Sequence, residues 1–390
     1  MTPLERRASV SLSSLFALRM LGLFLVLPVF ALEARNYPGG DDPAAIGLAM
    51  GIYGLTQGIL QIPFGMAADR FGRKRVIIMG LLLFAAGSFL AMAASSLEGL
   101  ILGRSLQGAG AISAAVTALL ADLTRDSVRT KAMAMVGGSI ALMFALSLVA
   151  APTLTAWVGL RGLFALIGVL SLSAIAVVLW AVPPEPPPHP YAPPGRLRDA
   201  LTDAGLLRLD LGVFILHAVQ LAMWVAIPAL LVQAGLRMES HWQVYLPTVL
   251  ASFLVLAVTL FPLERRGLLR AVFLGSVALL ALVQLGLLLV ASGKPSLAWL
   301  TFLLFLFFCT FNLLEACQPS LASRIAPRHA RGAALGVYNT MQSLGFFACG
   351  WIGGELVKAA GLQGLFVVCG LLCLVWLVLA WPMKAFKPNA

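Results

Sequence analysis

A chain of 390 residues in which 60% are hydrophobic and only 11% are charged falls well below the roughly 25% charged content of soluble domains, so its solvent is lipid rather than water. The formal net charge of +11 does not mark a nucleic-acid binder, because the cations are dispersed over short polar breaks. The five cysteines, Cys309, Cys317, Cys349, Cys369 and Cys373, lie in apolar stretches with neither metal-ligand spacing nor a paired framework, and read as small core or lipid-facing residues.

The first apolar run, near 11–34, continues to spanning length without a small-residue cleavage site, so no cleavable signal peptide is expected. Further runs follow near 46–68, 76–95, 99–121, 132–157 and 161–182, and then near 208–234, 242–263, 270–291, 296–322, 332–357 and 361–382. Each is long enough to cross a hydrocarbon core of about 30 Å, so the expectation is an all-α membrane protein with twelve transmembrane helices. Between the sixth and seventh runs the chain reads PPEPPPHPYAPPG. Proline at this density cannot sit in a spanning helix and favours an extended linker. The expected organisation is a six-helix bundle over 1–182, a Pro-rich linker over 183–207 and a second six-helix bundle over 208–390.

Charge sets the expected orientation. With the amino terminus placed inside, the inner segments hold 20 of the 27 Lys and Arg residues, the outer segments hold 5, and Arg19 and Arg104 lie within spans. That bias is the positive-inside pattern, puts both termini and the linker on the cytoplasmic side, and accounts for the basic balance. The halves also echo one another: the fourth span ends in LLADLTRDSVRTKAMAM and the tenth in SLASRIAPRHARGAALG, each a small-residue stretch, a polar turn, an arginine and a new small-residue-rich helix.

After the second span the sequence reads Gly65-Met-Ala-Ala-Asp69-Arg70-Phe-Gly72-Arg73-Lys74-Arg75. This resembles the signature loop of the major facilitator superfamily, G-x-x-x-D-R-x-G-R-[KR]-[KR]. In the fourth span Gly103-Arg104-Ser-Leu-Gln107-Gly108-Ala-Gly110 resembles the second signature, R-x-x-Q-G-x-G. The fifth span departs from the glycine-rich antiporter signature, keeping only Gly137, Gly138 and then Ala151-Pro152. Stretches spread over both halves, among them Arg19-Met-Leu-Gly, Gly51-Ile-Tyr-Gly-Leu-Thr-Gln57 and Phe311-Asn-Leu-Leu-Glu315, are similar to the YajR-like branch of bacterial drug/proton antiporter-type facilitators. That branch continues into a small soluble carboxy-terminal domain. The present sequence stops at Ala390, a few residues after its twelfth expected span, so no role of such a domain is carried over.

The resemblance implies the major facilitator fold: two six-helix halves around a central cavity lined by spans one, four, seven and ten. Four ionisable residues lie well clear of both membrane faces, Arg19 in span one, Arg104 in span four, His217 in span seven and Glu315 in span ten, which are those spans. A charge facing lipid at a helix centre costs at least about 2.5 kcal/mol, so all four are expected to face a wet or paired interior. At about 1.5 Å per helical residue, Glu315 and His217 both lie roughly 13 Å from the inner face and can meet; Arg104 lies nearer the outer face.

Glu315 is the first choice for a titrating group, since desolvation favours its neutral form, with Asn312 about one turn away to orient it or touch substrate. The alternative is a permanently bonded structural carboxylate. His217 titrates near neutral pH or merely packs. Arg104, with Gln107 beside it, resembles the family's proton-relay arginine or else holds helices together through carbonyls. Arg19 reads as a counter-charge for an anionic substrate group or for a partner acid. In the signature loop, Gly65, Asp69, Arg70, Gly72 and Arg73, together with Asp122 and Arg129 of the next inner loop, are implied by the resemblance to form a latch favouring the outward-open state. In that scheme Asp69 faces a helix amino terminus and Arg73 pairs with Asp122. The plainer alternative is that these charges only fix topology.

The leading expectation is a secondary transporter of the bacterial inner membrane, a proton-coupled antiporter exporting small amphipathic molecules. It would act as a monomer with protons, substrate and lipid as its partners, and without cofactor, metal or nucleic acid. A second reading is uptake or exchange of a nutrient or organic anion, with Arg19 and Arg104 as counter-charges. A third is a non-transporting scaffold or sensor. An enzyme is not expected, because no nucleophile–base–acid set or metal cluster is evident.

Overall fold

The computed structural model describes residues 1–185, 202–326 and 331–383; most of the Pro-rich stretch lies outside them. No strand occurs among the described residues. The chain divides into two compact units, residues 1–41 with 48–192, and residues 42–47 with 193–390.

The first unit is built from α1 (Pro3–Glu33), most of α2 (Pro43–Phe71), α3 (Arg73–Ala93), α4 (Leu97–Ala109), α5 (Ser113–Asp122) and α6 (Asp126–Ala176), the last running into a π turn, Val177–Ala181. Helix α1 starts on a capping box: the Thr2 hydroxyl accepts from the Glu5 backbone N–H while the Glu5 carboxylate accepts from the Thr2 N–H. Helix α1 packs on α6, and α3 on α4 and α6. Their common core includes Leu12, Leu15, Ile77, Leu81, Ile112 and Leu119, all fully buried.

The second unit holds α7 (Ala204–Gln233), α8 (Trp242–Arg265), α9 (Leu269–Ala291), α10 (Leu297–Ile325), α11 (Arg331–Ala348), a π turn at Cys349–Gly353, and α12 (Gly354–Ala380). The Asp203 carboxylate caps α7 by accepting from the Gly205 and Leu206 N–H groups. Helix α7 packs chiefly on α11 and also touches α10 and α12. The core here is aromatic, with Phe273 and Trp376 in edge contact at 5.9 Å.

Nine segments of the described residues are long and apolar enough to cross a membrane. Two of them, Met135–Ala181 and Ala334–Ala380, run for 47 residues each, about 70 Å of helix, more than twice a hydrocarbon core. Each is kinked at one non-helical residue with φ 65°, Gly159 or Gly361, a conformation glycine adopts at little cost. The span expected at 99–121 is instead broken, at Gly110–Ile112, into α4 and α5. Apolar side chains such as Leu254, Val258 and Val378 stand exposed on the outer surface, and Trp157, Trp180 and Trp381 are exposed close to helix ends and turns, as lipid-facing and interfacial residues do.

Candidate functional site

In the first unit two arginines are buried, Arg19 at 2% exposure and Arg104 at 1%. Arg19, on α1, reaches the point where α4 breaks. Its Nη1 donates to the Ser113 hydroxyl (2.9 Å), and its Nη2 donates to the Tyr53 hydroxyl (3.1 Å) and to the Gly110 carbonyl (3.3 Å). The last bond is the second to this carbonyl, which also accepts from the Ile112 N–H at 2.9 Å within the break. Arg104, on α4, donates from Nε to the Ala49 carbonyl (3.4 Å), from Nη2 to the Met50 carbonyl (3.3 Å) and from Nη1 to Gln107 Oε1 (3.2 Å). Gln107 passes the network on by donating to Ser88 (2.8 Å), which donates to the Phe84 carbonyl. Tyr53 joins the two cations: its hydroxyl accepts from Arg19, and its ring lies 5.1 Å from the Arg104 guanidinium carbon, a cation–π distance. Among the described residues neither arginine forms an ion pair.

In the second unit the charges are of a different kind. Glu315 of α10 and His217 of α7 come within 3.5 Å, Oε2 to Nε2. Gln342 of α11 sits against both, its amide nitrogen 2.7 Å from His217 Nε2 and 3.5 Å from Glu315 Oε1. On the other side of the imidazole, Nδ1 lies 3.0 Å from the Val213 carbonyl. A carbonyl only accepts, so Nδ1 carries a hydrogen, and Nε2 of the neutral ring is left to accept from the Gln342 amide. A further proton then has two destinations, His217 Nε2 or the Glu315 carboxylate. On Nε2 it forbids the existing Gln342 bond and forces that amide to turn or leave. Proton binding and the α7–α11 contact are therefore chemically linked. His217 is 6% exposed and the Glu315 side chain 37%, so the carboxylate is the accessible member. Asn312, a turn before Glu315 on α10, donates to Ser252 of α8 (2.8 Å) rather than to Glu315.

The signature loop forms a third charged region. Arg73 pairs with Asp122 at 2.5 Å, both half-exposed. Gly65 lies on α2, and Arg70 near its end is exposed, with its guanidinium 5.4 Å from the neighbouring Phe71 ring. Gly72 is the N-cap of α3 with φ 96°, and a Cβ there would meet Glu185 Oε1. Glu185 occupies the place a capping side chain would take: its Oε2 accepts from the Lys74 N–H at 3.1 Å, an anion against a helix amino terminus. The side chains of Asp69 and Arg129 lie outside the described residues.

Four participants escaped sequence reasoning. Tyr53 lay inside a quoted motif without a role. Glu185 was hidden among prolines. Asp210 of α7, 4% exposed with Oδ2 unbonded, stood too close to the helix end to attract notice. Glu5 takes a bidentate bond from Arg125, 2.7 Å from Nε and 3.2 Å from Nη2. That bond ties the start of α1 to the start of α6 and holds the Arg125 guanidinium above its ordinary range, the hydrogen bond first and charge second. For Glu5, Glu185 and Asp210 the signal was a polar residue near an element boundary; Tyr53, inside α2, offered none. Among the described residues no group of three His, Cys, Asp or Glu side chains is placed to hold a metal, and the buried cysteines form no disulfide.

The Major Facilitator Superfamily model matches residues 12–348 and 211–389. The chain is 41% identical to the inner membrane transport protein YajR of Escherichia coli over 98% of its own length and 85% of the relative's. It is 28% identical to multidrug resistance protein MdtH of Aeromonas hydrophila over 88% and 86%. A solved auto-inhibited peptide transporter of the POT family superposes with TM-score 0.77 at 15% identity, over 98% of each chain, which is a likeness of fold. The sequence match runs through the spans carrying Arg19, Arg104, His217 and Glu315, and the chain belongs to the Major Facilitator Superfamily, as a multi-pass inner-membrane transporter.

Proposed function

We propose that this transporter is a proton-coupled antiporter that exports small amphipathic or drug-like molecules by alternating access. The observation that carries the reading is the contact of Glu315, His217 and Gln342. A carboxylate partly open to solvent stands beside an imidazole whose second nitrogen is free to be protonated, and one amide reports on both. Glu315 takes the proton on one side and releases it on the other; His217 shares it, and Gln342 transmits the change to α11. Relatives called multidrug resistance proteins support the export of drug-like molecules.

In this proposal each 47-residue segment counts as two crossings and the broken pair α4–α5 as one, which brings nine spans to twelve. Both termini are cytoplasmic, and the working unit is a monomer of two six-helix halves over 1–182 and 208–390. Gly65, Asp69, Arg70, Gly72, Arg73, Asp122 and Arg129 act as a latch that favours the outward-open state.

A second reading, transport of an organic anion, is favoured by one observation: Arg19 and Arg104 are buried cations without a carboxylate partner among the described residues. Sealed vesicles with an imposed pH gradient, screened with amphipathic cations, neutral dyes and organic anions, separate the readings. Movement of cations or neutral compounds that stops when an ionophore collapses the gradient supports the proposal. Movement of anions alone selects the second reading, and movement indifferent to the gradient removes proton coupling.

A further inference from the structure

The second unit holds another buried carboxylate, which the His217–Glu315 exchange does not use. Asp210 lies on α7 seven residues before His217, two helical turns and therefore the same face. It is 4% exposed, and its Oδ2 has no hydrogen-bond partner. Helix α11 repeats the arrangement: Tyr338 precedes Gln342 by four residues, one turn on the same face. Tyr338 is 2% exposed, and its hydroxyl has no hydrogen-bond partner. Two helices packed on each other thus each present a residue at two levels: Asp210 and Tyr338 nearer their starts, His217 and Gln342 deeper, with Glu315 of α10 completing the deeper level.

Among the described residues no other group bonds Asp210 Oδ2. Helix α7 itself offers only Arg208, partly exposed two residues before it, besides His217. Helix α10 offers Glu315, the thiols of Cys309 and Cys317, and Arg324; α11 offers Tyr338 and Arg331; the side chains of Arg324 and Arg331 lie outside the described residues. The adjoining π turn offers Cys349, and α12 the buried thiols of Cys369 and Cys373 together with Glu355 and Lys358 near its start. No ion pair to Asp210 occurs among the described residues. A buried carboxylate without a partner is costly when charged and is retained in a membrane span for a task.

We infer that Asp210 is a second proton-carrying residue, a relay that passes protons between the start of α7 and Glu315 through the Tyr338 hydroxyl. In the step, the Tyr338 hydroxyl, unbonded in this structure, comes into hydrogen-bond reach of the two carboxyls, and the O–H bond of protonated Asp210 breaks as the Tyr338 oxygen takes its proton. The phenolic proton moves to the Glu315 carboxylate, so the phenol is regenerated and one proton is transferred. This rests on the proposed proton coupling at Glu315 but adds an entry path to it.

Infrared difference spectroscopy of the purified protein, titrated and pH-jumped in liposomes, tests the relay with the proton itself as probe. The wild type should show two titrating carboxyl bands. Asp210→Asn should remove one and displace the midpoint of the other. Asp210→Glu should retain both, with one band moved in frequency, so a folding failure of the Asn variant does not decide the matter. Tyr338→Phe should keep both bands but slow protonation of Glu315 after a pH jump by at least about tenfold, the scale of a lost acid–base group. If neither Asp210 variant alters a band while Glu315→Gln removes one, the relay is wrong and the coupling at Glu315 stands. An unchanged rate in Tyr338→Phe overturns the tyrosine route. If Glu315→Gln removes no band, both the coupling and the relay fall.

Discussion

The two units solve the problem of charge in a membrane in opposite ways. In the first, the donors of Arg19 and Arg104 are spent on carbonyls, hydroxyls and one amide. In the second, Glu315 and His217 share the neighbour Gln342, and a proton on His217 Nε2 would displace its amide. A guanidinium bonded to α2 carbonyls fastens helices. In the proposed function, an imidazole and a carboxylate 3.5 Å apart exchange a proton. The difference teaches that an ionisable residue in a span is not by itself a titrating site: the bonding partners decide whether it anchors or switches.

The contrast breaks most severely if Arg104 is not an anchor. Arg104→Ala leaves Gln107 Oε1 without its donor and removes three bonds from a charged group in the first unit. Bonds to charged groups contribute about 1.5–3 kcal/mol each and are partly compensated on relaxation, so a net loss of about 3 kcal/mol is expected. Thermal unfolding in detergent measures it, and a variant as stable as the wild type would move Arg104 from anchor to working group. Gln342→Leu sharpens the contrast from the other side. It removes the amide bonds to His217 and Glu315, worth about 1 kcal/mol each, yet should alter the pH profile of transport more than it alters the unfolding temperature. A changed stability with an unchanged profile would make Gln342 a packing residue. The smallest effect is expected at Arg73→Ala. Its pair with Asp122 is half-exposed, and such pairs contribute at most about 1 kcal/mol. Stability should scarcely move while the rate of interconversion between inward- and outward-open states, followed by double electron–electron resonance or single-molecule fluorescence, rises. An unchanged distribution of states would reduce the signature loop to a topology signal.

Much of this contrast was readable before the fold. A lone charge in twenty apolar residues stands out because lipid makes it costly, and this is how Arg19, Arg104, His217 and Glu315 were found. Their partners were not readable. Tyr53, Ser88 and Ser113 are polar groups of a kind common in spans, and only the packing of α1, α2, α3 and α4 selects them. The helix break at Gly110–Ile112 left no trace in hydropathy, since the residues on both sides remain apolar. Asp210 was masked by its nearness to Arg208, which made it look like a loop charge, although the helix begins at Ala204 and buries it. Gly72 was legible as a signature glycine, but its reason, a left-handed turn that makes room for Glu185, needed the return of the chain from α6.

The central claim is that Glu315 carries the coupled proton. It is tested most directly by comparing wild type and Glu315→Gln in sealed vesicles under an imposed pH gradient, with a compound the wild type moves. Binding of that compound serves as the check that the variant is folded. The account predicts binding retained and gradient-driven movement lost, because glutamine keeps the shape and the bond to Gln342 but cannot take up a proton. Gradient-driven movement at the wild-type rate in Glu315→Gln would contradict it.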